Sequence, residues 1–493
     1  MRVREFFLDS QKEIISKLVR EVLSLFKVQV TEDGEFSTLS IRHRVIRTDS
    51  HARVSTELAL AEISGARHVY LRSGVLQEDE RESAGIHRMV KRNLYDIFVK
   101  DLGKPPAPWG ILHGVRPTKI VHRWIRLGLD EPTIVRRLRE DYRAGTEKSA
   151  LITKMAFRQL PFLRTSDEKT ISVYVGIPFC LTRCLYCSFP SHVLPKEEKL
   201  REFISVLRRD IETARESVRR YGFRVQNIYV GGGTPTSLPN LFFAEMLEMV
   251  YNAFYGPSVV EFTVEAGRPD SMTDEKLSTM LRLGVTRVSV NPQTMQEKTL
   301  ARIGRQHTPE DAVRMFHALR KAGFSNINMD LILGLPGETA EDVEDTMKRV
   351  LALEPDDVTL HALALKRGSR LKMNLEDYEL PSDEETRRMY EVAMRYIREA
   401  GMEPYYLYRQ GYMSGQLENV GCCRRGAEGM YNIQIMEEHQ TILGMGGAAT
   451  TKVVDFRAGR LKSTFHAKDL ITYLRDVEYY IKKRDALLEE VYG

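Results

Sequence analysis

The stretch Ile177-Pro-Phe-Cys180-Leu-Thr-Arg-Cys184-Leu-Tyr-Cys187 carries three of the five cysteines in the chain. Its Cys-x3-Cys-x2-Cys spacing lets three thiolates hold three corners of a cubane iron–sulfur cluster. Such clusters normally take four cysteines. A loop that offers three leaves one iron open to bind and activate a small molecule. Two other readings fit the cysteines alone. They are buried packing residues, or a zinc site with His192 as fourth ligand. Cys422 and Cys423 are adjacent, have no third cysteine nearby, and read as structural or redox-incidental.

Around this loop the chain has an ordinary globular composition. At 493 residues it is long enough for two or three domains. Hydrophobic residues make up 42% and charged residues 29%, which excludes a disordered or fibrous chain. A net charge of +5 is small for this length and does not argue for nucleic acid as a partner. No apolar run approaches the ~18 residues of a membrane span. The start, Met1-Arg-Val-Arg-Glu-Phe-Phe, lacks the apolar core of a signal peptide. Few cysteines, mostly clustered as ligands, predict a reducing, cytoplasmic setting.

From Ile171 onward, apolar β-branched runs alternate with helical patterns. The runs are Ile171–Ile177, Val225–Val230, Val259–Glu265, Thr286–Asn291, Ile327–Leu333 and Asp357–Leu365. The helical patterns are Glu197–Tyr221, Leu241–Phe254, Asp274–Leu283, Pro309–Ala322 and Ala340–Leu353. That order predicts an α/β fold with parallel strands. Six βα units are too few to close an eight-stranded barrel, so a partial (β/α)6 barrel is expected, with an open doubly wound sheet as the alternative. In either, ligands bind at the C-terminal strand ends. The cysteine loop, Gly231-Gly-Gly-Thr-Pro-Thr236, Glu265 and Gln293 all fall there, and Asp330 lies in the fifth strand before Gly334-Leu-Pro-Gly337.

The flanks read differently. Residues 1–168 predict an N-terminal α+β domain of unassigned role. Helices are expected at Lys12–Leu25, Glu80–Leu102 and Glu131–Arg143, and strands at Thr38–Val45, Val54–Leu60 and His68–Leu71. The barrel is expected over 169–375. Residues 376–493 predict a mainly helical segment that covers the substrate, with helices at Asp383–Ala400 and Leu470–Lys483.

Several stretches together resemble a known family. They are Tyr174-Val-Gly-Ile-Pro-Phe-Cys180, the Cys-x3-Cys-x-Tyr-Cys loop, Gly231-Gly-Gly-Thr-Pro-Thr236, Val264-Glu265-Ala266 and Asp330-Leu-Ile-Leu-Gly-Leu-Pro-Gly337. In order and spacing they resemble the radical S-adenosylmethionine (SAM) enzymes, and within them the oxygen-independent coproporphyrinogen III dehydrogenases, over about residues 171–450. The N-terminal extension with Pro108-Trp-Gly-Ile-Leu-His-Gly-Val-Arg-Pro-Thr-Lys119 resembles the HemZ branch, usually assigned to anaerobic haem biosynthesis.

The resemblance implies a [4Fe–4S] cluster on Cys180, Cys184 and Cys187, with SAM on the open iron. One electron from a low-potential donor such as flavodoxin or ferredoxin would split SAM to a 5'-deoxyadenosyl radical. Tyr174 would sit beside the cluster, and Tyr186 near the adenine. Gly232 and Gly233 would let backbone approach the methionyl end. Glu265 would take the SAM ammonium and Arg305 its carboxylate. Gln293 and Asp330 would hold the ribose, while Ile332 and Ala364 would flank the adenine. The implied reaction converts two propionates of coproporphyrinogen III to vinyls, and Lys366, Arg367, Arg370 and Arg409 could meet the substrate carboxylates. Two positions depart from the better-known enzymes: Phe189 and Gly176 stand where those carry Cys and His. Related haem chaperones also lack that cysteine, so a haem-binding delivery protein is the second implied function. A radical SAM enzyme modifying RNA is a third, and no dense basic and aromatic stripe supports it.

Overall fold

The computed structural model describes residues 1–10, 12–47, 52–77, 80–165, 167–410 and 413–493. It divides into two compact units, Met1–Lys154 and Met155–Gly493.

The first unit is α+β. Its strands are β1 (Arg2–Leu8), β2 (Gln29–Val30), β3 (Phe36–Arg47), β4 (Ala52–Glu62) and β5 (Arg67–Val75). Its helices are α1 (Glu13–Leu25), α2 (Glu82–Asp96), α3 (Thr118–Arg126) and α4 (Glu131–Tyr142). The sheet order is β2-β1-β3-β4-β5, with β3, β4 and β5 antiparallel. In α1, Ile15, Leu18, Val19, Val22 and Leu23 recur at helical spacing and are buried. They share a core with Leu39 and Ile41 of β3, with Leu58 and Leu60 of β4, and with Met89 and Leu94 of α2. The expected helices and strands of this region are all present. β1 and α3 were not anticipated. The helix α5 (Thr146–Leu163) contains the division between the units.

The second unit is built on eleven strands in one sheet. First come β6 (Thr170–Ile177) and the two-residue strands β7 (Phe179–Cys180) and β8 (His192–Val193), which pair with each other outside that sheet. The parallel series continues with β9 (Arg224–Gly232), β10 (Glu261–Val264), β11 (Arg287–Gln293), β12 (Ile327–Leu333) and β13 (Asp357–Ala362). Between them run α6 (Glu197–Arg220), α7 (Asn240–Phe254), α8 (Asp274–Arg282), α9 (Glu297–Arg302), α10 (Pro309–Ala322) and α11 (Ala340–Leu351). Each long strand is a near-continuous buried run, as a sheet covered on both faces requires. Thr308 and Asp311 form a capping box that starts α10, and Thr339 and Asp342 do the same for α11.

The C-terminal part adds α12 (Arg370–Met373), α13 (Asp383–Glu399), α14 (Met430–Glu437) and α15 (Leu470–Tyr492). The helices expected at Asp383–Ala400 and Leu470–Lys483 are therefore present, and the second is longer than expected. The same segment also supplies five strands, which are a correction to a mainly helical reading. They are β14 (Glu403–Tyr408), β15 (Asn419–Cys423), β16 (Thr441–Gly446), β17 (Thr450–Asp455) and β18 (Arg460–Phe465). β15 lies antiparallel on β13, and β16 lies parallel on β6. The small residues of Ile442-Leu-Gly-Met-Gly-Gly hid a strand because glycine lowers strand propensity. Here they allow close backbone approach, since a Cβ on Gly446 would lie 2.2 Å from the Gly176 oxygen. The sheet order runs β14-β15-β13-β12-β11-β10-β9-β6-β16-β17-β18, so the sheet is open. Among the described residues no helix is long and apolar enough to cross a membrane.

Candidate cofactor and active site

The cysteine loop leaves the end of β6 and is pinned by backbone bonds. The Leu185 amide donates to the Ile303 carbonyl at 2.9 Å, and the Leu371 amide donates to Leu185 at 3.0 Å. β7 sets Phe179 opposite His192 and Cys180 opposite Val193. Cys184 is buried, and Cys180 and Cys187 are half-buried. Burial pushes the Cys180 and Cys187 thiols up, and each is pushed further by the charges of its neighbouring cysteines. Among the described residues no three His, Cys, Asp or Glu side chains close around a single metal ion. A zinc site of three cysteines and His192 would need that arrangement. A cubane spreads its thiolates over separate irons and does not.

The exit of β9 passes directly over this loop. A Cβ on Gly233 would lie 2.5 Å from the Phe179 oxygen and 3.0 Å from Cys180 Sγ. A Cβ on Gly231 would meet the Glu265 carboxyl carbon at 2.8 Å. Gly232 has a φ of 116°, and its amide donates to Glu265 Oε2 at 3.2 Å. The glycine run is thus a steric requirement of the crossing.

Glu265 follows β10. It accepts from the Tyr229 hydroxyl at 2.5 Å. Desolvation pushes its carboxyl up to about 7, with Tyr229 opposing and Asp330 adding repulsion. Tyr229 stacks on Tyr431 at 4.4 Å and on Tyr174 at 6.0 Å. Tyr431 reaches this stack from α14, whose first amides donate to Glu261 at 2.6 and 3.2 Å. Asp330, in β12, accepts from Asn328 at 2.7 Å and has His361 Nε2 at 3.7 Å. Burial works against its ionisation, yet His361 holds the carboxyl below its usual range. Sequence reasoning missed Tyr229, Tyr431 and His361, because only the folded register brings them to Glu265 and Asp330.

A third group gathers at the end of β11. Gln293 is 7% exposed, has a φ of 70°, and sits at a register shift against β12. Arg305 donates from Nη1 to the Asn291 carbonyl at 2.7 Å and from Nη2 to the Tyr186 hydroxyl at 3.2 Å. Gln293 Oε1, Asn291 Oδ1 and Arg305 Nε are buried without a hydrogen-bond partner. Such atoms are uncommon in a finished core and mark a place for a polar ligand. Ile332 packs in a cluster with Leu185, Ile303 and Leu363, and Tyr186 borders it. Ala364 lies past β13, bridged to Met413.

The structure therefore brings together Tyr174, Gly232, Gly233 and Glu265, and separately Tyr186, Arg305 and Ile332. Tyr174 has Tyr229 and Tyr431 as its ring neighbours. Of the four basic residues, Arg370 donates to the Arg183 carbonyl and so braces the cysteine loop. Lys366 lies 6.0 Å from the ring of the exposed Phe189. Burial lowers Arg409 to about 10. A Cβ on Gly176 would stand 2.7 Å from the Gly447 oxygen, so a histidine there would displace the β16 turn.

Comparison with known proteins agrees with this layout. The pattern of the Radical SAM superfamily matches residues 174–350. The chain is 35% identical over 459 residues to the oxygen-independent coproporphyrinogen-III oxidase-like protein HemZ of Bacillus subtilis, covering 90% of this chain and 89% of that one. It is 29% identical over 305 residues to the heme chaperone HemW of the same species, covering 61% and 76%. The solved structure of the radical SAM enzyme coproporphyrinogen III oxidase (HemN) from Escherichia coli has the same fold, with a TM-score of 0.51, 23% identity and coverage of 66% and 72%. Radical SAM proteins use a [4Fe–4S] cluster and SAM. The chain belongs to the radical SAM superfamily and, within it, to the family of the oxygen-independent coproporphyrinogen-III oxidase-like protein HemZ.

Proposed function

We propose that the protein decarboxylates coproporphyrinogen III to protoporphyrinogen IX without oxygen, as a step of haem biosynthesis. The observation that carries this reading is the under-paired polar rim at one edge of the parallel strands, with three cysteines at one corner and a carboxylate lacking a cation beside them. The residues fit the family's cofactors. Cys180, Cys184 and Cys187 would hold the cluster. Glu265 offers its carboxylate to the SAM ammonium, across the space that Gly232 and Gly233 keep open. Arg305 offers Nε, and Gln293 and Asp330 offer acceptors for hydroxyls. Tyr186, Ile332 and Ala364 supply apolar area for the adenine.

Bound together and reduced by a low-potential donor such as flavodoxin or ferredoxin, the cofactors supply hydrogen-atom abstraction. The protein's own part is positioning and exclusion of water. Tyr229 fixes the Glu265 carboxylate at 2.5 Å. The stacked rings of Tyr174, Tyr229 and Tyr431 pack beside it. Lys366 and Arg367 are the cations offered to the substrate's carboxylates, while Arg370 is engaged with Arg183 and Arg409 lies buried near Glu418.

The second reading is a haem-binding delivery protein. It is favoured by the likeness to HemW and by Phe189, which stands 61% exposed where the better-known enzymes have a cysteine. Anaerobic reconstitution followed by an assay with coproporphyrinogen III and SAM separates the two. Tetrapyrrole product formed together with 5'-deoxyadenosine supports the enzyme. Stable haem binding with no tetrapyrrole product supports the chaperone.

A further inference from the structure

Arg268 lies three residues after Glu265, just past the end of β10, and is 2% exposed. One edge of its guanidinium forks onto Asp270, with Nε at 3.0 Å and Nη2 at 2.6 Å. Its remaining nitrogen, Nη1, holds both the Thr182 carbonyl at 3.1 Å and the Thr182 hydroxyl at 2.7 Å. Thr182 is the middle residue between Cys180 and Cys184.

An ion pair of one buried and one solvent-reached partner adds little net stability, because desolvation of the arginine offsets the attraction. What this pair contributes is geometric. The Asp270 fork fixes the guanidinium plane, and the fixed plane presents Nη1 to one peptide of the cysteine loop. That loop is otherwise tied on its Cys184–Cys187 side, through Leu185 to Ile303 and Leu371. On the Cys180–Cys184 side the Thr182 hydroxyl also donates to the Gly304 carbonyl, at a longer 3.4 Å. Arg183 in the same span accepts from Arg370 at its carbonyl and donates to the Gly368 carbonyl at 2.9 Å. Two guanidiniums thus grip the span, and Arg268 is the one that reaches it from the end of β10.

We propose that Arg268 is a positioning residue that holds the Cys180–Cys184 span in the shape that takes up the iron–sulfur cluster, and couples that span to the strand end bearing Glu265. The proposal rests on the assignment of the three cysteines as cluster ligands. A lysine would keep the charge and one contact to Thr182, but not the fork. A glutamine would keep neither the charge nor the fork.

The test is anaerobic reconstitution of the full chain, with iron and sulfide counted per chain. The dithionite-reduced cluster is then recorded by electron paramagnetic resonance and its midpoint potential is titrated. The parent is expected to take up about four irons. Arg268→Gln, with unchanged circular dichroism, is expected to take up less than half of that. Its loaded fraction is expected to show an altered spectrum and a more negative midpoint. Arg268→Lys is expected to recover most of the loading. Loading, spectrum and midpoint of Arg268→Gln equal to the parent's would overturn the proposal. Should Arg268→Gln fail to fold, the rate of iron loss to a chelator from Arg268→Lys and Thr182→Ala decides: faster loss than the parent's supports the clamp, and the parent's rate overturns it. Cys184→Ser serves as the separate control. If it loads like the parent, the cysteine assignment fails, and the proposal fails with it.

Discussion

Two carboxylates of the Met155–Gly493 unit, Asp210 and Glu265, meet opposite treatment. Asp210, on α6, is fully buried. It accepts from Arg484 at 2.6 Å, from the Gly446 amide at 2.9 Å and from Tyr473 at 3.1 Å, with His466 Nε2 at 3.2 Å. Burial opposes its charge, yet Arg484 and His466 hold it well below the usual carboxylate range. Glu265 has a hydroxyl and one amide, no ion-paired cation among the described residues, and a carboxyl pushed up to about 7 by burial. Asp210 is a finished structural joint between α6, α15 and the β16 turn. Glu265 is left short of a positive partner at the strand ends, where the ammonium of SAM would supply one under the proposed function. Buried charge alone therefore does not mark the site. Incomplete pairing of that charge does.

The largest effect is expected where the pairing is complete. Asp210→Ala leaves Arg484 buried without its carboxylate and should cost about 3–5 kcal/mol of stability, read as a lowered urea midpoint. An unchanged midpoint would remove the contrast at its structural end.

Glu265→Gln should behave in the opposite way. Without SAM it should not lower the midpoint near pH 8. With SAM it should lose about 1.5–3 kcal/mol, or roughly ten- to hundredfold in affinity, by titration. Parent-like affinity would take Glu265 out of the site.

The same group sets a pH dependence. Its carboxyl rises from 4.5 to about 7 on folding, so the folded chain without SAM favours the protonated form. That contribution, about 3 kcal/mol at most, is fully present below pH ~4.5 and is lost as pH rises through ~7. SAM binding uses the ionised form, so affinity should rise from pH 6 to 8 and level off above. In Glu265→Gln both slopes should vanish. A parent-like SAM slope in that variant would assign the titration to another group, with the Asp330–His361 pair next in line.

The smallest effect sharpens the contrast among the cysteines. Cys422 and Cys423 are fully buried in β15, and Cys423 Sγ already receives Arg158 at 3.4 Å. The double change Cys422→Ser/Cys423→Ser should leave iron per chain at the parent value. Lost iron would move the cluster out of the β6 loop.

Much of this layout was legible in the sequence. The parallel strands announced themselves as β-branched runs of strand length, and the cysteine spacing identified the loop after β6. The placement of Gly232, Gly233 and Glu265 at strand ends was legible too, while the roles proposed for them came from the family resemblance. Features built from residues far apart were not legible. Arg484 finds Asp210 across 274 positions, and Tyr431 reaches Tyr229 from a helix that no periodicity ties to the barrel. The inner strand β16 was hidden by its glycines, which the close approach of Gly446 to Gly176 requires. Arg268 carried no signal in the sequence, because its partners Asp270 and Thr182 meet it only in the fold.

The most direct test of the central claim uses coproporphyrinogen III deuterated at the propionate carbon β to the carboxylate, with reconstituted protein, SAM and a low-potential reductant under anaerobic conditions. The expected result is deuterium in the recovered 5'-deoxyadenosine, together with vinyl-bearing tetrapyrrole. Recovery of 5'-deoxyadenosine without deuterium, and of intact tetrapyrrole, would contradict the claim.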